Sequence, residues 1–219
     1  MPVCIVSATA LELQYLHLPK EQYNTLITGV GTAATVFHLM KELQNHKPSL
    51  LLQAGIAGSF DEQLPLGQAV IINADRFAGL GVHENDQWND VFDMKLAEGA
   101  AHPYTNGWLI NPYHDLLDAA GLPIVKSISI SEISTNPVRI KQLRDKYNPS
   151  VESMEGAAFH YVCLQLGIPF IQLRTISNYV GERNKEKWQL KHAVENLAEQ
   201  IQSILTTLSA SSILPRQGV

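Results

Sequence analysis

The sequence predicts an α/β protein with the architecture of a three-layer α/β/α sandwich around a central mixed sheet. Three observations lead to this fold class. Short β-rich segments alternate with helical segments, several of the β-rich segments are continuously apolar, and 45% of the 219 residues are hydrophobic. A chain of this size can bury a substantial core, so we expect a single domain over residues 1–208 and a loose tail over residues 209–219.

The individual elements follow from local patterns. Continuous or β-branched apolar runs predict strands at Val3–Ala8, Leu26–Thr28, Leu50–Ala54, Ala69–Asn73, Ile124–Ile130 and Pro169–Ser177. Helical spacing and cap signals predict helices at Thr32–Gln44, Pro112–Ala120, Pro137–Tyr147, Glu155–Leu166 and Lys185–Leu208. Residues 76–111 are rich in Gly, Asn and Asp, and this long excursion is expected to form part of a site or of an oligomer contact.

Composition excludes several classes of function. The net charge is −5 and Lys and Arg are scattered, so a nucleic-acid footprint is missing. Cys4 and Cys163 lie in apolar segments, which favours reduced, buried thiols. The histidines lack metal-ligand spacing, and neither a metal nor an organic cofactor is expected. No signal-peptide pattern and no apolar run of membrane-spanning length occurs, so we expect a cytoplasmic protein that does not bind a membrane.

Two glycine-rich segments each follow a predicted strand. The segment GVGTAA, residues 29–34, matches a dinucleotide-binding fingerprint, but the next strand, SLLLQAGIAG, lacks the acidic residue that the fingerprint requires. A tight turn is therefore favoured over NAD binding. The segment QAGIAGSF, residues 53–60, fits either a ligand-facing strand end or a turn, and the pattern leaves both open.

Charged residues stand in two otherwise apolar segments. Glu152 and Glu155 precede an apolar helix in VESMEGAAFHYV, where they either belong to a site or are stabilised by the helix dipole. Arg174 lies inside the apolar run PFIQLRTIS, and a buried guanidinium needs an anionic partner. Glu12 and Glu155 are the two candidates for that partner.

Together, QAGIAGSFDEQLPLGQAVII, VESMEGAAFHYVCLQLGIPFIQLRTISN and the glutamate of SATALEL resemble the purine nucleoside phosphorylase/nucleosidase superfamily over nearly the whole chain. Within it, the runs SNYVGERNKEKW and FAGLGVHENDQW resemble the futalosine hydrolases of the menaquinone pathway. The related methylthioadenosine/S-adenosylhomocysteine nucleosidases carry an aspartate where this chain has Asn178. The resemblance implies a nucleoside phosphorylase-like fold and a homo-oligomer.

The resemblance also implies roles for individual residues. Glu155 would accept hydrogen bonds from the ribose hydroxyls, while Glu12, with Arg174 nearby, would orient or deprotonate the attacking water. The implied substrate contacts are Ala54, Gly55, Ile56, Ile130, Ser131, Met154 and Ser177, with Asn178 at the purine. Ile56 stands where relatives often have a serine, and Ile130 and Ser131 are the nearest matches to a base-stacking aromatic residue.

Leaving-group chemistry makes Asn178 informative. Adenine normally leaves after protonation, which an amide cannot supply, whereas a 6-oxopurine spreads negative charge onto an oxygen that an amide NH₂ can stabilise. Glu12 would repel phosphate, which favours water as the nucleophile. This chemistry favours hydrolysis of a 6-oxopurine nucleoside, and the resemblance to futalosine hydrolases implies that the substrate is futalosine, with release of hypoxanthine. A methylthioadenosine/S-adenosylhomocysteine or aminofutalosine nucleosidase, a phosphorylase and a non-catalytic nucleoside-binding protein remain alternatives.

Overall fold

A computed structural model describes residues 3–19, 22–85 and 87–211. The strands are β1 (Val3–Ser7), β2 (Tyr23–Ile27), β3 (Leu50–Ser59), β4 (Ala69–Asp75), β5 (Gly81–Glu84), β6 (Gln87–Asp90), β7 (Leu109–Ile110), β8 (Ile124–Ser129), β9 (Val151–Ser153) and β10 (Phe170–Tyr179). The helices are α1 (Thr32–Asn45), α2 (His114–Ala119), α3 (Pro137–Tyr147), α4 (Gly156–Leu166) and α5 (Leu190–Ala210). A short 3₁₀ turn, Lys185–Lys187, precedes α5.

Strands β3 and β10 form the centre of the sheet. They are parallel partners along their length, and the other edge of β3 pairs first with β1 and then, near its end, with β9. The strand order β10-β4-β8-β9-β3-β1-β2, together with the β10–β3 pairing, closes five strands into a ring while β1 and β2 extend the sheet to one side. The carboxyl ends of β3 and β10 therefore lie side by side, where open α/β sheets bind ligands.

Helices cover both faces of the extended sheet. On one face, α5 and α2 pack on Leu52, Leu173 and their neighbours, and on the other face α1 and α4 pack on Val6, Leu51 and Phe170. Cys4 and Cys163 are free and buried in the second of these cores, and burial raises the pKa of Cys4 to about 12. The predicted α/β class with a central mixed sheet is confirmed.

The predicted elements are found, but several of their boundaries differ. β3 continues to Ser59 instead of ending at Ala54, because its glycine- and alanine-rich end pairs with β10 on one edge and β9 on the other. β10 likewise continues to Tyr179. The helix predicted from Lys185 begins only at Leu190 and ends at Ala210. Residues 212–219 lie outside the described residues, so the predicted division at residue 208 stays a prediction.

The excursion over residues 76–111 carries ordered structure of its own. It contains the β5–β6 hairpin and β7, and it is anchored by Arg76, whose guanidinium pairs with buried Asp90 at 2.6 Å. The same guanidinium lies 4.9 Å from the ring centroids of Phe92 and of Tyr147 on α3. None of the helices in the described parts of the chain is both long and apolar enough to cross a membrane.

Candidate active site

A cavity of about 290 Å³ opens at the carboxyl ends of β3 and β10. The turn after β1, the end of β3, the β9–α4 junction and the end of β10 build much of its wall, and the turn before α1, the loop after β8 and the start of α5 contribute further residues. A larger cavity of about 460 Å³ lies beside it, next to the start of α3. The two share Ile130 and Ile133, but Glu12, Glu155 and Asn178 line only the smaller one, which is therefore the candidate active site.

Glu12 follows β1 and is buried, with 5% of its surface exposed. Four hydrogen bonds hold its carboxylate. Its Oε2 accepts from the Ser7 hydroxyl and from the backbone N–H and hydroxyl of Thr9, each at 2.9 Å. Its Oε1 accepts from the backbone N–H of Ile56 on β3 at 3.1 Å. Since a carboxylate oxygen has two lone-pair directions, Oε1 keeps acceptor capacity toward the cavity.

Arg174 lies on β10 behind this carboxylate and is 1% exposed. Its Nη2 donates to Gln53 Oε1 at 3.0 Å, and its Nη1 lies 4.0 Å from Glu155 Oε2. A Cβ at Gly55, its neighbour on β3, would lie 2.4 Å from Arg174 Nη1 and 2.8 Å from Glu12 Oε1. Glycine at position 55 therefore lets the guanidinium approach both glutamates, with Glu155 as the ion-pair partner.

Glu155 is the N-cap residue immediately before α4, yet its side chain makes no capping hydrogen bond to that helix. Its Oε1 instead accepts from the backbone N–H of Gly31, at the start of α1, at 2.9 Å. Gly31 has φ = 90°, a left-handed conformation that glycine adopts without strain. The GVGTAA turn thus orients a glutamate of the cavity, and the carboxylate is 6% exposed.

A β-bulge directs the end of β10 into the cavity. Pairing with β3 runs Ile176 to Ala57 and then Asn178 to Gly58, so Ser177 is the extra residue. Bulges bend a strand and re-aim its side chains, and here the consecutive Ser177 and Asn178 both line the cavity. The Ser177 hydroxyl donates to Asn178 Oδ1 at 2.9 Å, and Asn178 Nδ2 donates to the Tyr179 carbonyl at 3.1 Å.

A third carboxyl group, Glu152, also lines the cavity, although sequence reasoning gave it no specific role. It is 6% exposed, and burial raises its pKa, an effect opposed by hydrogen bonding to Ser134 and by the charge of Arg139. Its Oε1 accepts from the Ser134 N–H at 3.3 Å, while Oε2 has no partner within the described residues. The motif V-E-x-M-E contained it, but only the pairing of β9 with β3 brings it to the cavity.

A buried polar network supports the cavity floor from behind. Asp75 accepts from the Arg76 N–H, the Ser129 hydroxyl and Gln172 Nε2, and the same hydroxyl receives the Ala157 N–H at the start of α4. A Cβ at Gly156 would lie 2.1 Å from Asp75 Oδ2, so only glycine fits there. Burial raises the pKa of Asp75 to about 6.

The structure brings together most of the predicted site residues. Beside the residues already placed, Met154, Ile56 and Ile130 line the cavity. Ala54 does not, because its methyl group packs in the core under α5. Ser131 lines only the larger neighbouring cavity, so a role for it at the base is not supported by its position.

Sequence reasoning missed several apolar lining residues. Ile133 lines both cavities, and Trp188, just before α5, and Leu190, its first residue, line the smaller one. Ile133 is two residues beyond Ser131, the second of the two predicted stacking positions. It lies in an irregular loop, where no periodic pattern of apolar residues marks it. No cluster of three or more His, Cys, Asp or Glu able to hold a metal ion occurs in the parts of the chain that the structure describes.

Comparison with known proteins identifies related sequences. A family model described as "Phosphorylase superfamily" matches residues 17–210. The futalosine hydrolase of Thermus thermophilus is 29% identical over 182 residues, which cover 82% of this chain and 80% of that protein. The futalosine hydrolase of Streptomyces coelicolor is 26% identical, with 89% and 83% coverage. The 5′-methylthioadenosine/S-adenosylhomocysteine nucleosidase of Pseudoalteromonas translucida is 25% identical, with 85% and 80% coverage.

Solved structures share the fold at lower sequence identity. The native futalosine hydrolase of Helicobacter pylori superposes with a TM-score of 0.75 at 14% identity, covering 95% of this chain and 98% of that one. A 5′-methylthioadenosine/S-adenosylhomocysteine nucleosidase from the same organism superposes with a TM-score of 0.77 at 15% identity, covering 95% and 99%. These likenesses establish the nucleoside phosphorylase-like fold.

The buried network gives a prediction for the pH dependence of stability. Because the pKa of Asp75 rises from 3.8 to about 6 on folding, its contribution to the free energy of unfolding falls as pH rises through that window, by about 1.4 kcal/mol per pH unit. Burial lowers the pKa of His160 from 6.5 to about 4, which gives the opposite slope. Asp75→Asn should therefore leave a protein whose stability increases from pH 4 to pH 6 more steeply than that of the unchanged protein.

Urea unfolding at several pH values measures this difference. Asp118→Asn, on the exposed face of α2, is the matched control. It should change the free energy of unfolding by the same amount at every pH. A constant offset between Asp75→Asn and the unchanged protein across this pH range would contradict the assignment.

Proposed function

Because the chain belongs to the phosphorylase superfamily, we propose that it is a nucleosidase that hydrolyses the N-glycosidic bond of futalosine and releases hypoxanthine. The observation that carries the proposal is a cavity in which two buried glutamates face an amide, Asn178, at the end of β10. Similarity to two futalosine hydrolases over more than four-fifths of the chain supports the same substrate. Futalosine would connect the protein to menaquinone biosynthesis.

Glu155 supplies the charge that the sugar requires. Cleavage of an N-glycosidic bond passes through a ribose with oxocarbenium character, which a preorganised carboxylate stabilises. The Gly31 N–H and the guanidinium of Arg174 hold the two oxygens of Glu155 in place before substrate arrives. The hydroxyl groups of ribose are donors, and Glu155 is an acceptor at the cavity wall.

Glu12 acts on water. Ser7 and Thr9 saturate Oε2, while Oε1 has one protein donor, the Ile56 N–H, and can accept a second hydrogen bond from a water molecule. A carboxylate in hydrogen-bond contact with water is a general base for hydrolysis. The negative charges of Glu12 and Glu155 also repel phosphate, which makes phosphorolysis the less favourable reaction.

Asn178 stabilises the departing base. The Tyr179 carbonyl can only accept a hydrogen bond, so the group 3.1 Å from it is the NH₂ end of the amide, while Oδ1 lies against the Ser177 hydroxyl. One N–H of this group meets the Tyr179 carbonyl, and the other is available to a base in the cavity. It would meet an oxygen or a ring nitrogen on which negative charge develops, without transferring a proton.

Methylthioadenosine is the second candidate substrate, since nucleosidases with that substrate in their name are 25% identical to this chain. Purified protein incubated with futalosine, inosine and methylthioadenosine, each with and without phosphate, separates the possibilities by chromatography of the products. We expect hypoxanthine from futalosine without phosphate. Faster release of adenine from methylthioadenosine would reject the proposed substrate, and strict phosphate dependence would reject hydrolysis.

The role of Asn178 predicts a specific kinetic change. Asn178→Ala removes a donor whose hydrogen bond strengthens as charge develops, so kcat on futalosine should fall about 10²-fold or more while KM changes little. Steady-state kinetics measures both constants. Asn45→Ala, at the exposed last residue of α1, is the matched control and should retain activity. An unchanged kcat in Asn178→Ala would exclude the amide from the mechanism.

We also propose that the protein is a homo-oligomer that assembles through the excursion over residues 76–111. This segment exposes the large apolar side chains of Leu80, Val82 and Leu96, of which Leu96 is 74% exposed. Exposed apolar surface is typical of an interface where it is contiguous, and these three side chains belong to one segment of the chain. Light scattering after size exclusion should give a mass of at least two chains, and a monodisperse, active monomer would contradict the proposal.

A further inference from the structure

Glu152 is a buried carboxyl group without a role in the chemistry described above. Its Oε1 is occupied by the Ser134 N–H, but Oε2 is buried and lacks a partner within the described residues. An unpaired buried acceptor costs free energy, commonly at a site that a ligand completes. The nearby cation, Arg139, directs Nη2 to the Ala78 carbonyl and stacks 4.0 Å from the centroid of the Trp88 ring, and its Nη1 is likewise without a hydrogen-bond partner within the described residues.

Strand pairing places this carboxyl group opposite the amide of Asn178. Gly58 on β3 pairs with Asn178 of β10 on one edge and with Glu152 of β9 on the other. A Cβ at Gly58 would lie 3.4 Å from Asn178 Nδ2 and 3.5 Å from Glu152 Cγ. The amide and the carboxyl group therefore flank one glycine on the same side of the sheet, and both line the cavity.

We propose that Glu152 determines base specificity by accepting the N1–H of a 6-oxopurine through Oε2 while Asn178 donates to the same base. This inference rests on the proposed nucleosidase function and extends it to the Watson–Crick edge of the base. A 6-oxopurine presents a donor at N1, whereas a 6-aminopurine presents a bare nitrogen acceptor there. An ionised carboxylate accepts a hydrogen bond from the N1–H of a 6-oxopurine. Opposite the N1 of a 6-aminopurine, two acceptors would meet, and the carboxylate oxygen and N1 would both remain unpaired.

The bond to Ser134 makes one substitution especially informative. In Glu152→Gln the amide oxygen must remain toward the Ser134 N–H, so the new NH₂ group replaces Oε2 at the cavity. That group opposes the N1–H of a 6-oxopurine and matches the N1 acceptor of a 6-aminopurine. The substitution should therefore move the preference from 6-oxopurines toward 6-aminopurines and not simply lower all activity.

Binding of free bases tests the inference separately from turnover. Calorimetric titration with hypoxanthine, 1-methylhypoxanthine and adenine gives affinities that require no catalysis. The unchanged protein should prefer hypoxanthine to the other two, and Glu152→Gln should lower the hypoxanthine-to-adenine affinity ratio by about 10- to 100-fold, within the range of discrimination of a paired base contact. Glu132→Gln, an exposed glutamate in the preceding loop, is the control and should keep the ratio.

The outcomes distinguish the two proposals. A ratio unchanged in Glu152→Gln, or equal binding of hypoxanthine and 1-methylhypoxanthine by the unchanged protein, would overturn the role of Glu152 even if futalosine is hydrolysed. Failure to hydrolyse futalosine would overturn the proposed function, while a ratio that responds to Glu152→Gln would still support base recognition. The methylated base requires no variant, so this arm holds even if Glu152→Gln does not fold.

Discussion

Arg174 carries a full positive charge into the middle of the sheet, and the cavity is organised around it. A guanidinium that is 1% exposed must be paired and hydrogen-bonded, since an unpaired buried ion costs several kcal/mol. Gln53 accepts a hydrogen bond from Nη2 and Glu155 supplies the opposite charge 4.0 Å from Nη1, while Nε has no hydrogen-bond partner within the described residues. The absence of a side chain at Gly55 provides the space. The position of Glu155 thus compensates the buried cation, while Glu12 is held by Ser7, Thr9 and Ile56.

The site is shaped as much by missing side chains as by present ones. Gly55 makes room for Arg174, Gly58 separates Asn178 from Glu152, and Gly156 admits Asp75 beneath the start of α4. Each glycine lies where strands or a strand and a helix come close, so the polar groups can meet at hydrogen-bond distances. Rigid neighbouring strands then hold these groups, which is the preorganisation that electrostatic stabilisation requires.

Local patterns predicted the five helices and six of the ten strands within the described residues, because apolar runs and cap residues act over short distances. The short strands β5, β6, β7 and β9 were not predicted. The motifs also identified Glu12, Glu155, Arg174 and Asn178, which the structure brings to one place. The continuation of β3 through GIAGS was not predictable, since its β structure depends on pairing with two distant strands. The positions of Glu152 and Ile133 were not predictable either, the first because it depends on long-range strand register and the second because it lies in an irregular loop.

The bulge at Ser177 has a consequence for how this site can change over time. Side chains of a strand alternate between faces, so a single residue inserted or deleted in β10 before the bulge would exchange the faces of everything after it. Substitutions at position 178 can alter the chemistry offered to the base while the backbone stays the same. A change in the length of β10 would instead remove both polar groups from the cavity in one event. Diversification of substrate within this architecture is thus open to point replacement and closed to length variation at this strand end.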